Sequence, residues 1–94
     1  MSNIYVINEV NTAFYKIGYA ADVPSRLSGL QVGNRAKLRL VTSFPVTDGK
    51  LAESIIHSNL AYYRERGEWF ILEDGYIEGW LEIVKEGLLS DLLL

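Results

Sequence analysis

Apolar and polar positions alternate with a period of two near the start of the chain and change to helical spacing further on. Ile4-Tyr5-Val6-Ile7 is a run of β-formers, Asn8 to Thr12 is polar enough to turn, and a second β-rich run begins at Ala13. This pattern predicts a β-hairpin with its turn centred on Val10-Asn11, Tyr5 opposite Lys16 and Ile7 opposite Phe14. Ile4, Val6, Tyr15 and Ile17 then share the other face of the sheet. The turn has no Asn-Gly or Asp-Gly pair, and a slip of one residue would exchange the two faces.

Asp22 is placed as an N-cap, Pro24 suits a first helical turn, and Val23, Leu27 and Leu30 form an apolar stripe that predicts a helix ending near Gly33-Asn34. Lys37 to Val46 alternates basic with apolar and reads as a third strand, cationic where it begins. Asp48 caps a second helix predicted to run from Gly49 or Lys50 to about Tyr63, with Ala52, Ile55, Ile56, Leu60 and Tyr63 on its apolar face. In that helix Glu53, His57 and Arg64 fall in one line along the flank. Gly67 is expected to stop it, residues 68–72 to form a short strand, and Asp74 to open a last helix. The stripe of that helix is Ile77, Trp80, Leu81, Val84 and Leu88. The predicted fold class is α+β, a small and mainly antiparallel sheet flanked by helices in the order β-β-α-β-α-β-α.

With 94 residues, about half of them apolar, the chain makes one domain, 1–94, with a C-terminal helix near 74–89 and an apolar tail. That tail, Leu88 to Leu94, packs on its own domain or serves as a homodimer contact. The absence of cysteine suits a reducing cytoplasm and removes disulfides and thiolate metal sites. No apolar run approaches a membrane span, so an intracellular, cytoplasmic protein is expected. The net charge of −3 argues against indiscriminate binding to nucleic acid, but the charge is divided along the chain. The first half carries Lys16, Arg26, Arg35, Lys37, Arg39 and Lys50 against only Glu9, Asp22 and Asp48, and the carboxylates concentrate in the second half. Such a chain can turn a basic face to a polyanion while its other side stays acidic; clustering on a solvated surface is the alternative.

Residues 13–31 gather the candidate chemistry: a lysine on a strand, Gly18 where another group can come close, and Arg26 one turn into a helix. Together these suit a phosphate. Arg35, Lys37 and Arg39 add further candidates for phosphate contacts, as does Arg64.

The placed elements resemble the GIY-YIG nuclease superfamily, especially its phage-type DNA-binding branch, in which the second signature element commonly reads Lys-Ile-Gly. The resemblance rests on Ile4-Tyr5-Val6-Ile7, Tyr15-Lys16-Ile17-Gly18, Arg26, Gly33-Asn34, Glu53 with His57, and Gly67-Glu68-Trp69-Phe70, and covers residues 3–72. It implies a metal-dependent endonuclease acting on DNA phosphodiesters. Tyr5 would position or activate the attacking water, Arg26 would bind the scissile phosphate, and Glu53 would hold one divalent metal, Mg2+ or Mn2+. A single carboxylate suffices for such a metal when phosphate oxygens and waters complete its shell. The chain departs from the nuclease pattern at Asn3, where the first motif has glycine, at Lys16, where the second has tyrosine, and at Leu30, where a histidine or tyrosine is often found. His57 then takes part of the proton chemistry or is simply a half-buried helix histidine, and Lys16 contacts phosphate in place of a tyrosine hydroxyl. Two other readings stand beside the nuclease: a catalytically silent DNA-binding module of the same fold, and a small phage-type domain that binds a protein partner.

Overall fold

Eight principal elements follow one another in the computed structural model, which describes residues 2–94. They are β1 (Ser2–Glu9), β2 (Phe14–Ala20), α1 (Val23–Val32), β3 (Leu38–Val46), α2 (Gly49–Asn59), β4 (Arg64–Arg66), β5 (Trp69–Ile71) and α3 (Tyr76–Gly87). The strands form a five-stranded sheet in the order β3-β1-β2-β5-β4, with every neighbouring pair antiparallel. The fold is therefore α+β, as the pattern predicts, with one strand more than expected.

The first hairpin forms with a register two residues from the predicted one: Tyr5 pairs with Gly18 and Ile7 with Lys16. The cause is the turn. Asn11 adopts a left-handed conformation with φ of 66°, and the Thr12 hydroxyl donates to the Glu9 carbonyl while accepting from the Phe14 amide, which moves the turn centre toward Thr12. A shift of two leaves the faces unchanged, because side chains alternate with period two. Ile4, Val6, Tyr15 and Ile17 accordingly join Ala52, Ile56, Ile77 and Leu81 in the larger core, beneath α2 and α3. Tyr5 and Ile7 face the other way, into a smaller cluster with Val23, Leu38, Leu27 and Trp69 under α1.

The caps of the first two helices fall where the sequence places them. The Asp22 carboxylate accepts from the Ser25 amide and that of Asp48 from the Leu51 amide, each 3.0–3.1 Å away. α2 is shorter than predicted. It ends at Asn59, and a 3-10 turn over Ala61–Tyr63 leads into β4, so Arg64 begins a strand instead of extending the helix. Gly67, with φ of 55°, does not stop a helix but makes the turn between β4 and β5. The last helix is capped by Gly75 in a left-handed conformation, one residue beyond the expected Asp74. Its buried stripe is Ile77, Leu81 and Val84; Leu88 is exposed, and Leu89, fully buried, takes the place foreseen for it. The tail packs on its own domain: the Thr47 amide donates to the Leu92 carbonyl, and Leu93 bridges to Val46. Among the described residues, no helix is long and apolar enough to cross a membrane.

Candidate functional site

β5 pairs with β2 only from Phe14 to Lys16, which leaves the edge of β2 beyond Lys16 without a strand beside it. Two other groups satisfy that edge. The Ile17 amide donates to the Glu68 carbonyl at 3.1 Å, and the Ile17 carbonyl accepts from Nε2 of His57 at 2.8 Å. The carbonyl partner fixes the proton on Nε2. The His57 ring also meets Phe70 edge-on, with centroids 5.0 Å apart. His57 is thus buried and ties α2 to the sheet, which brings Glu53, one turn earlier, to the same open edge.

From the opposite face, Tyr5 reaches the same place. It lies across β2 from β1 directly over its register partner Gly18, where a methyl group would come 2.5 Å from the Tyr5 hydroxyl and 2.8 Å from the Glu68 carboxylate. Gly18 is therefore required for close approach, since any side chain would displace both oxygens. Nε of Arg26, on α1, donates to the Tyr5 hydroxyl at 3.5 Å. Arg26 is itself exposed and directed to the site by the Asp22-capped helix start. Lys16, pointing to the same face, pairs with Glu68 at 3.3 Å and stands 5.7 Å from the centre of the Trp69 ring. With only 11% of its side chain exposed, it is held in place, where the sequence alone left a lysine on a sheet surface.

Four elements and one turn thus converge: Tyr5 from β1, Lys16 from β2, Arg26 from α1, Glu53 from α2 and Glu68 from the β4–β5 turn. The profile of the T5orf172 domain matches residues 3–86, which takes in all five. The chain belongs to the T5orf172 domain family. No curated protein and no solved structure matches it. The family is associated with phage-type domains of the nuclease-like or DNA-binding kind, and the matched span extends beyond residue 72 through most of α3.

The electrostatics of this T5orf172 domain follow from the convergence. Burial pushes the Tyr5 hydroxyl above the ordinary tyrosine value, the hydrogen bond from Arg26 opposes this, and the charges of Glu68 and Glu53 add to it. Tyr5 therefore stays a neutral phenol at neutral pH, accepting from Arg26 and keeping its own proton to donate. The Glu53 carboxyl is likewise raised from its ordinary value, by burial first and by Glu68 second, against the pull of His57 and Lys16. A partly buried carboxylate facing a second one gains from a divalent cation, so the donor chemistry fits one metal at Glu53 with Glu68 near it. Among the described residues there is no group of three or more His, Asp or Glu arranged as a complete ligand set.

The remaining basic residues divide into two groups. Arg35 and Lys37 are exposed on the loop after α1, which leads into β3 opposite the Glu9 end of β1, an end that lies about 13 Å along the strand from Tyr5 at a rise of ~3.3 Å per residue. That loop is fixed by Gln31, whose amide donates to the carbonyls of Asn34 and Ala36 and whose oxygen accepts from the Leu38 amide. Arg39 donates to Asn8 at 3.1 Å and so lies at the hairpin end of the sheet, apart from Tyr5 and Lys16. Arg64, although on β4, turns back to the α2 flank and shares a cleft with Glu53 and His57.

Glu68 is the site residue that sequence reasoning missed. Its position in Gly67-Glu68-Trp69-Phe70 marked it as part of a motif. Its placement beside Lys16 depends on the pairing of β5 with β2, a contact between distant parts of the chain.

Proposed function

We propose that this domain is a GIY-YIG-type endonuclease that binds DNA and hydrolyses a phosphodiester with the help of one divalent metal. The observation that carries the reading is the meeting of the Tyr5 hydroxyl, held by the Arg26 guanidinium, with the Glu68 carboxylate over Gly18, close enough to Glu53 for its charge to act on Tyr5. An exposed guanidinium presents a planar fork to a phosphate, and it is most valuable as charge builds on the non-bridging oxygens. Tyr5, as a neutral phenol hydrogen-bonded to that guanidinium, orients a water or a phosphate oxygen. Glu53, with Glu68 beside it, would hold Mg2+ or Mn2+, which on binding supplies Lewis-acid stabilisation and a more acidic bound water. Lys16 neutralises Glu68, and its ammonium stands at the site as a cation that would also suit a phosphate oxygen.

A second reading has its own support. Lys16, where the nuclease pattern has tyrosine, is already paired to Glu68, and a site that keeps this pair would grip DNA without cutting it. Supercoiled plasmid incubated with Mg2+ or Mn2+ distinguishes the two. Nicking that is lost in both Arg26→Ala and Glu53→Gln is expected, with both variants folded by circular dichroism. A mobility shift with no nicking under either metal would establish the silent module instead. Nicking that survives Glu53→Gln would remove Glu53 from the metal.

A further inference from the structure

Beside the convergence over Gly18, on the outer flank of α2, lies an open cleft of about 440 Å³ lined by Lys50, Ser54, Ser58, Arg64 and the side of Glu53. We infer that this cleft is a second phosphate-binding track, which takes the sugar–phosphate backbone of the DNA strand next to the phosphate held by Arg26. The inference rests on the site reading above for its direction, but on separate residues for its chemistry.

Lys50, Ser54 and Ser58 stand four residues apart and form one row along the helix, about 12 Å long at ~1.5 Å per residue. At roughly 3.4 Å of axis per nucleotide, that row faces about three nucleotides of one strand. It offers a cation at its start and hydroxyl donors along its length, and Arg64 comes in from β4 as the second cation. All four residues are exposed. Among the described residues, the salt bridges are Lys16–Glu68 and Lys85–Glu82, so Lys50 and Arg64 have no carboxylate partner. Arg64 is nevertheless positioned, with its guanidinium carbon 5.7 Å from the centre of the Phe70 ring. Phe70 is the same ring that His57 meets, so the cation of the cleft and the histidine that carries Glu53 to the site share one support. Serine hydroxyls with unpaired cations suit phosphate oxygens, and contacts made to the backbone carry no sequence information, so binding along this track is independent of sequence.

The test is the salt dependence of DNA affinity, measured by fluorescence anisotropy on a labelled duplex in EDTA, for the parent, Lys50→Ala/Arg64→Ala and Lys50→Arg/Arg64→Lys. Two lost phosphate contacts should lower the slope of log affinity against log salt by about 1.8, and between 50 and 200 mM salt the parent's advantage should shrink roughly twelvefold. The charge-conserving variant should keep the parental slope. A parental slope in the double alanine variant, at unchanged thermal stability, would overturn the track. Running the plasmid assay in parallel separates the two proposals. A slope that falls while the parent fails to nick would uphold the track and refute the nuclease. Nicking by the parent with an unaltered slope in the variant would do the reverse. No DNA binding by the parent would refute both.

Discussion

Substituting Gly18 by alanine tests the packing on which the site depends. The added methyl would stand 2.5 Å from the Tyr5 hydroxyl, 2.7 Å from the ring carbon that bears it and 2.8 Å from the Glu68 carboxylate. Glu68 is partly exposed and can swing away, but Tyr5 is only 1% exposed and packed within a cluster that includes Ile7, Val23 and Leu38. The ring must move or the strands must part, an overpacking cost of about 1–3 kcal/mol. Alanine recovers about 0.5–1 kcal/mol through its smaller loss of backbone freedom, so that at the middle of both ranges the net destabilisation is about 1.3 kcal/mol. For a domain of this size, that corresponds to a fall in Tm of about 5–10 °C, readable by calorimetry. Tyr5→Ala empties the contested space, so Gly18→Ala should cost less in that background, with a coupling of at least about 0.5 kcal/mol between neighbours. A Gly18→Ala protein as stable as the parent, or additive behaviour in the cycle, would refute the placement of Tyr5 over Gly18.

Glu53→Gln should alter stability as well as nicking. Because its folded-state value is raised, the folded protein disfavours the ionised carboxylate, and the contribution of Glu53 to the parent's stability is greatest below the ordinary glutamate value and is lost as pH rises through the raised one. The glutamine variant should therefore be the more stable of the two in urea at pH 7, with the difference vanishing near pH 3; a variant equally or less stable at pH 7 would contradict this. His57→Phe keeps a ring against Phe70 but orphans the Ile17 carbonyl, and should cost about 1–3 kcal/mol in chemical denaturation, less than His57→Ala. Gln31→Ala removes three hydrogen bonds from the loop that presents Arg35 and Lys37, and amide exchange at Leu38 should accelerate while that at Ile4 does not.

The parts of the fold that could be read in the sequence are those set by local chemistry. Asp22 and Asp48 mark helix starts because an N-cap acts on amides two or three residues away, and the strands β1, β2 and β3 announce themselves by β-branched and aromatic runs. The features that could not be read are decided by distant contacts. β4 is Arg-Glu-Arg, with all three residues exposed, and carries no apolar alternation; it is a strand only because Gly67 folds it onto β5. The hairpin register depended on the Thr12 hydroxyl, whose side-chain turn leaves no two-residue signature. Tyr5, Arg26 and Glu53 could be nominated from motif order, and the structure brings them together. Arg39 could be seen to be basic, but only strand pairing sends it to Asn8 and the hairpin end.

The way the chain closes its sheet bears on how it survives at high concentration. A sheet edge is a row of unspent hydrogen-bonding groups that can template cross-β association. β4 offers only three residues, all exposed, with charges of both signs. β3 is the vulnerable edge, nine residues long, but it contains Pro45, and its end is covered where Leu93 bridges Val46 and the Leu92 carbonyl takes the Thr47 amide. The leucine-rich tail thus acts as a gatekeeper. Deleting residues 90–94 would uncover the Val46 end of the longest strand among the described residues to its neighbours in solution, and aggregation, more than unfolding, would be the first symptom.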